Sequence, residues 1–171
     1  MDSVQKIVER VMKDELHTSW SKQHSKSFLT HLFSGLSADY VLNSDWEIGF
    51  YDPESSKITV FVVMKNGKIA IKPADDVFKK PDATVEKLKL EEVKLSFEEA
   101  VIIAKEEFPK QFHKEIMGDG FLVVQTFQND TIWNFTFITK SLKFVNVKIN
   151  SKDGKINSAE SFSVLDQGNK K

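Results

Sequence analysis

Apolar residues recur at helical spacing over 2–16, where Val4, Ile7, Val8, Val11 and Met12 share a face and Leu16 extends it. Asp2, with Gln5 three residues on, reads as the N-cap of a helix. The serine-rich stretch His17 to Ser27 reads as a break. Phe28, Leu29, Leu32 and Phe33 then read as a second short helical face, closed by Gly35 as a C-terminal cap.

From Tyr40 onward the period changes to two. Trp46, Ile48 and Phe50 alternate with Glu47 and Gly49, and a turn cluster follows at Asp52-Pro53-Glu54-Ser55-Ser56. The run Ile58 to Met64 is apolar on both faces, as expected of a strand covered above and below. Lys65-Asn66-Gly67-Lys68 then predicts a hairpin in which both central residues take positive φ, and Ile69 to Ile71 begins the return strand.

The programme then recurs. Ser96 and Glu99 form a capping box before the face Phe97, Ala100, Val101, Ala104 and Phe108, and Pro109 ends or kinks that helix. Met117-Gly118-Asp119-Gly120 reads as a break and Phe121 to Phe127 as a strand. Gln128-Asn129-Asp130 is a turn, and the alternating runs at Trp133 to Phe137 and Val145 to Ile149 are strands that lead to a hairpin at Asp153-Gly154-Lys155-Ile156.

One ungapped offset of 87 aligns Trp46 with Trp133 and Phe50 with Phe137. It also aligns Ile58, Val60 and Val62 with Val145, Val147 and Ile149, and the two hairpin turns with each other. The chain is therefore expected to be α+β, with two tandem units of helix plus antiparallel meander. Residues 1–84 form the first, with an enlarged helical entry, and residues 85–171 the second. Each helix covers one face of a three-stranded sheet, and pairing of the units would cover the other.

The second half resembles the PepSY domain family through Leu95-Ser96-Phe97-Glu98-Glu99-Ala100, the strand Trp133 to Phe137, and the Val145-x-Val147-x-Ile149 strand leading into Asp153-Gly154-Lys155-Ile156. The first half resembles it more loosely, through Trp46, Phe50, Ile58 to Val62 and Asn66-Gly67-Lys68-Ile69. That resemblance implies small α+β modules without catalytic residues, acting on peptidases or other protein partners, usually outside the cytoplasm.

Composition narrows the function classes. Lys plus Arg number 24 against 25 Asp plus Glu, and Arg10 is the only arginine. A chain without basic excess and nearly without the planar guanidinium fork is not expected to bind nucleic acid. There is no cysteine, so disulfides and thiol chemistry are excluded. No leader or apolar run of spanning length is legible, so a cytoplasmic location without membrane insertion is expected. His17, His24 and His31 are spaced by seven, a rise of about 10.5 Å on a helix, too far to share an ion. The adjacent acid pairs Asp75-Asp76, Glu91-Glu92, Glu98-Glu99 and Glu106-Glu107 point apart.

No catalytic, cofactor or metal constellation is therefore read from the chain. The expected function is a non-catalytic binding or regulatory module with a protein or peptide partner. Two alternatives are a cone-shaped, cystatin-like ligand-binding or enzymatic domain and a homo-oligomeric assembly protein. Trp20, Trp46, Tyr51 and Trp133 are the candidate contacts, as a groove for an apolar or peptide ligand, with Trp20 the exposed-looking member.

Overall fold

A computed structural model describes residues 2–76 and 84–163. Helices α1 (Val4–Lys13) and α2 (Glu15–Gln23) lead into β1 (Phe28–Leu36), β2 (Trp46–Asp52), β3 (Lys57–Val63) and β4 (Ile69–Asp76). After a short 3-10 turn at Leu90–Glu92 come α3 (Phe97–Gln111), β5 (Met117–Phe127), β6 (Asp130–Thr139), β7 (Lys143–Asn150) and β8 (Ile156–Ser163). All eight strands form one antiparallel sheet in the order β4-β3-β2-β1-β5-β6-β7-β8.

Directly opposed residues in antiparallel strands share a face. One row crosses the sheet as Ile71, Phe61, Ile48, Leu32, Val124, Trp133, Ile149 and Ile156. Its six central members are fully buried. Val4, Ile7, Val8 and Val11 of α1 and Ala100, Val101, Ala104 and Phe108 of α3 close over this face in a single core. The neighbouring row is Ala70, Val62, Glu47, Phe33, Val123, Asn134, Lys148 and Ser158, and every member keeps partial exposure. Among the described residues the helices thus lie on one side of the sheet and no helix covers the other, although Tyr51, Ile132, Thr136 and Asn146 are buried on it.

This corrects the expectation of two sheets covering each other. The halves join edge to edge through β1 and β5, and the second apolar face of β3 (Ile58, Val60 and Val62) is half-exposed rather than sandwiched. The offset also needs one correction. β2 and β6 present Trp46, Ile48, Phe50 and Trp133, Phe135, Phe137 to the core, 87 apart. The core residues of β3 are Phe61 and Val63, so Val147 and Ile149 lie 86 residues after their counterparts. The turn before β7 is one residue shorter than that before β3 and β7 itself is one residue longer, which restores 87 at Gly67 and Gly154.

Three local readings also change. Ser3, not Asp2, caps α1 by accepting from Lys6 N at 3.3 Å. Residues 15–23 are helical, with Asp14 as N-cap, so the serine-rich stretch is not a break. Residues 28–36 are a strand, not a helix, and 117–120 open β5 rather than interrupt the chain. Gly120 is required there, since a Cβ would lie 1.9 Å from the Thr136 carbonyl oxygen across the bulge. At the first hairpin only Gly67 takes positive φ, at 83°. The turn with both central residues left-handed is Gln128-Asn129, whose two N–H groups donate to the Glu86 carboxylate at 2.8 and 3.1 Å. The capping box of Ser96 and Glu99 forms as predicted, and α3 continues past Pro109 to Gln111.

Leu32 sits at the join of the halves with no exposed area. Leu32→Ala is expected to cost about 2–5 kcal/mol, as a buried cavity does. Val62→Ala, on the open face, should cost about 1 kcal/mol or less. Urea unfolding midpoints of the two variants measure the difference, and equal losses would contradict a one-sided core.

Candidate functional site

The four aromatic candidates do not converge. Trp20 lies on α2 and packs onto the core, with its ring 5.5 Å from Phe61 and edge-on. It is half-buried rather than exposed. Trp46 borders a cavity of about 240 Å³ between α1 and the β2–β3 end of the sheet. Trp133 is fully buried and lines a separate cavity of about 210 Å³, where the N-termini of α1 and α3 approach each other. Its indole N–H has no acceptor among the described residues. Tyr51 is on the opposite side of the sheet, beside Phe28 at 5.6 Å.

The richest chemistry surrounds Trp20. Residues 17, 20 and 24 are one helical turn apart, so α2 points His17, Trp20 and His24 to the same side. His17 inserts between Phe50 and Phe61, at 4.7 and 5.2 Å. Trp20 stacks on His24 at 4.6 Å with 17° between the planes. His24 Nδ1 lies 2.9 Å from Asp52 Oδ2, and the buried Asp52 carboxylate also accepts from Glu54 N and Ser55 Oγ. The His24 bond above all, with the two turn donors, holds the Asp52 carboxyl below its usual range. A carboxylate pinning Nδ1 fixes the ring's orientation and leaves Nε2 as its free nitrogen. A shallow hollow of about 310 Å³ beside it is walled by Trp20, His24, Thr59, Ile71 and Pro73. The pairing is not legible in the sequence, because His24 and Asp52 are 28 residues apart and α2 reads there as a break.

The third candidate is the open face. Its first half is apolar, with Ile58, Val60, Val62, Phe28 and Phe33 half-buried. His31 lies over Gly49, where a Cβ would sit 2.2 Å from the ring. Thr30 Oγ1 donates to the Gly49 carbonyl at 3.0 Å, so His31 Nδ1 donates to Thr30 Oγ1 at 2.8 Å. The second half is mixed: Ile138 and Phe162 are exposed on it, beside several polar side chains. Asn146 on this face donates to Thr136 Oγ1 at 2.8 Å and to the Phe135 carbonyl at 3.1 Å, and Lys148 pairs with Glu160 at 2.9 Å. The expected wetter face is thus polar only in part, and Thr136 and Asn146 are themselves buried.

Burial pushes the imidazoles of His17 and His31 down from the ordinary value of 6.5, for His17 against the opposing pull of the Met12 backbone and Asp14. Unfolded chains then bind protons below that value that the folded protein refuses, so stability falls with pH in that window. Asp52 acts in the same direction at lower pH: its depressed pKa stabilises above 3.8, and the contribution is lost as pH falls through the folded value. Urea midpoints should drop between pH ~7 and ~5, and His17→Phe should flatten part of that drop. A midpoint independent of pH there would count against buried neutral imidazoles.

No family model matches the chain, and no curated protein matches it either. Among solved structures, it is similar to the crystal structure of a protein from Clostridium difficile 630 provisionally named a lipoprotein. The likeness has a TM-score of 0.53 and 15% identity, over 86% of this chain and 91% of the other. At that identity the likeness is one of fold. No helix among the described residues is long and apolar enough to cross a membrane, which leaves β-barrels unaddressed.

Proposed function

We propose that the chain is a non-catalytic binding and regulatory module, built from two tandem PepSY-like units and directed at a protein partner. The observation that carries this reading is the open sheet face. It presents the half-buried Phe28, Phe33, Ile58, Val60 and Val62 on one side of the molecule, with Glu47 between Phe33 and Val62. Apolar surface gathered on one face of a sheet is a common feature of partner sites.

The tandem reading is supported by core faces that recur at 87 and 86 residues. Phe33 pairs with Val123, and the sheet extends away from this pair through three further strands on each side, as a local two-fold would place them. The PepSY resemblance supplies the regulatory part, including action on a peptidase.

A photo-crosslinking residue at Val62 tests this in native lysate, with Ile102 on the solvent side of α3 as control. A discrete adduct from position 62 and none from 102 is expected. Purified protein should also inhibit or stabilise a member of a peptidase panel. No adduct at 62, or equal adducts at both positions, would overturn the reading.

A second reading, a small-ligand-binding or enzymatic domain, is favoured by one feature: His24, held by Asp52, beside the Trp20 hollow. His24→Gln would then abolish a ligand-dependent change in Trp20 fluorescence.

A further inference from the structure

The cavity beside Trp46 differs from the other hollows in having an apolar floor and a guanidinium at its rim. Ile7, Trp46 and Val63 form the floor, each less than one-tenth exposed. Arg10, the only arginine in the chain, reaches the rim from α1. One hydrogen bond, from Nη2 to Asp2 Oδ2 at 2.7 Å, pairs it with a carboxylate of the segment preceding the helix. Both side chains are close to half exposed, at 45% and 46%, and an ion pair of that kind is weak and readily exchanged.

Asp2 therefore marks a place where a carboxylate fits this guanidinium, yet it uses one bond where the planar fork offers a bidentate pair. Across the cavity the backbone N–H of Lys65 donates to Asp45 Oδ1 at 3.0 Å, and the two residues add one charge of each sign to the lining. The site is balanced while Asp2 sits on Arg10. It would remain balanced if another singly charged carboxylate replaced Asp2. A doubly charged phosphate would leave an excess negative charge facing Asp45.

We propose that this cavity binds the C-terminus of a peptide, with the terminal carboxylate on Arg10 in place of Asp2 and an apolar last side chain on Trp46, Ile7 and Val63. At about 240 Å³ the space lies below the ~300–1,000 Å³ of pockets that enclose drug-sized ligands, so it suits one terminal residue. Capture of a terminal carboxylate is an established mode of peptide recognition, and here the Arg10 guanidinium would do what a backbone nest does elsewhere. The site lies on the helix side of the sheet, and it is independent of the open-face reading. Either can fail without the other.

The test uses N-acetylated tetrapeptides ending in Leu, as free acid and as C-terminal amide, titrated against the full chain by calorimetry. The acid should bind and the amide should bind about ten-fold more weakly or not at all. Arg10→Gln should remove the difference between acid and amide. Arg10→Lys should restore it only in part, because an ammonium lacks the fork. Asp2→Asn, which removes the internal competitor, should tighten the acid several-fold. Arg10 is exposed on a helix, so these variants keep the fold, checked by thermal melting. Equal binding of acid and amide, binding unchanged in Arg10→Gln, or no binding of the acid to either wild type or Asp2→Asn would each overturn the proposal.

Discussion

The pairing of β1 with β5 is the interaction on which the rest of the molecule depends. It runs from His31 opposite Gln125 to Leu36 opposite Gly120. Because opposed residues share a face, the pairing decides more than how two meanders are joined. It places Leu32 and Val124 side by side and makes the core rows of both halves one row. It also puts both helical layers on the same side. A slip of one residue would turn Leu32 and Leu36 toward solvent and Phe33 toward the helices. Register here is therefore fixed by burial, and so is the existence of an open face.

The same pairing explains why polar groups near the join are satisfied by loops rather than by helices. Ser34 occupies a core-side position with no exposed area, opposite Leu122. Its hydroxyl donates to the Ser44 carbonyl at 3.2 Å, and Ser44 Oγ in turn accepts from Gly35 N at 2.6 Å. Leaving such a hydroxyl unpaired would cost about 1–3 kcal/mol. The loop between β1 and β2 is thereby pinned next to Asp45 and Trp46, so the end of the sheet that carries the Trp46 cavity inherits its order from the join. The connection into α3 is held in a similar way at the other end, where Leu88 N donates to the Leu29 carbonyl and Lys89 N to Thr126 Oγ1.

Strands with clean alternation were legible in the sequence. β2, β3, β6 and β7 were all read at the right places, as were α3 and its capping box. β1 was misread for a definite reason. A bulge between Leu29 and His31 inserts one residue, and Ser34 interrupts the apolar alternation. The remaining core leucines, 29, 32 and 36, then fall at helical spacing. In β5 the glycines at 118 and 120 mimic a break, although they serve a close approach between strands. α2 was missed because its inward face is His17 and Trp20 rather than aliphatic residues. The aromatic candidates were singled out by residue type alone, and type does not say which face or which cavity a ring will reach. The Arg10–Asp2 and His24–Asp52 pairs depend on tertiary geometry that no local pattern encodes.

The two halves differ where they no longer share the work of the core. Core positions are apolar in both, because a single continuous core tolerates little else. On the open face the opposed residues diverge: Val62 and Glu47 in one half stand where Lys148 and Asn134 stand in the other. The first half also spends a glycine, Gly49, to let His31 lie across the strand, whereas Thr136 and Asn146 stand where Gly49 and Val60 do in the first half. A pleated surface under no packing demand has no physical need of an apolar strip, since polar side chains would keep it solvated at no cost to the core. The second half meets that expectation in part: Asn146 donates to Thr136 and Lys148 to Glu160, though Ile138 and Phe162 stand exposed on the same side. The first half does not. Folding alone therefore accounts for the helix-side pattern of the sheet but not for Phe33, Val60 and Val62 on its other side, and it is there that the proposed partner would dock.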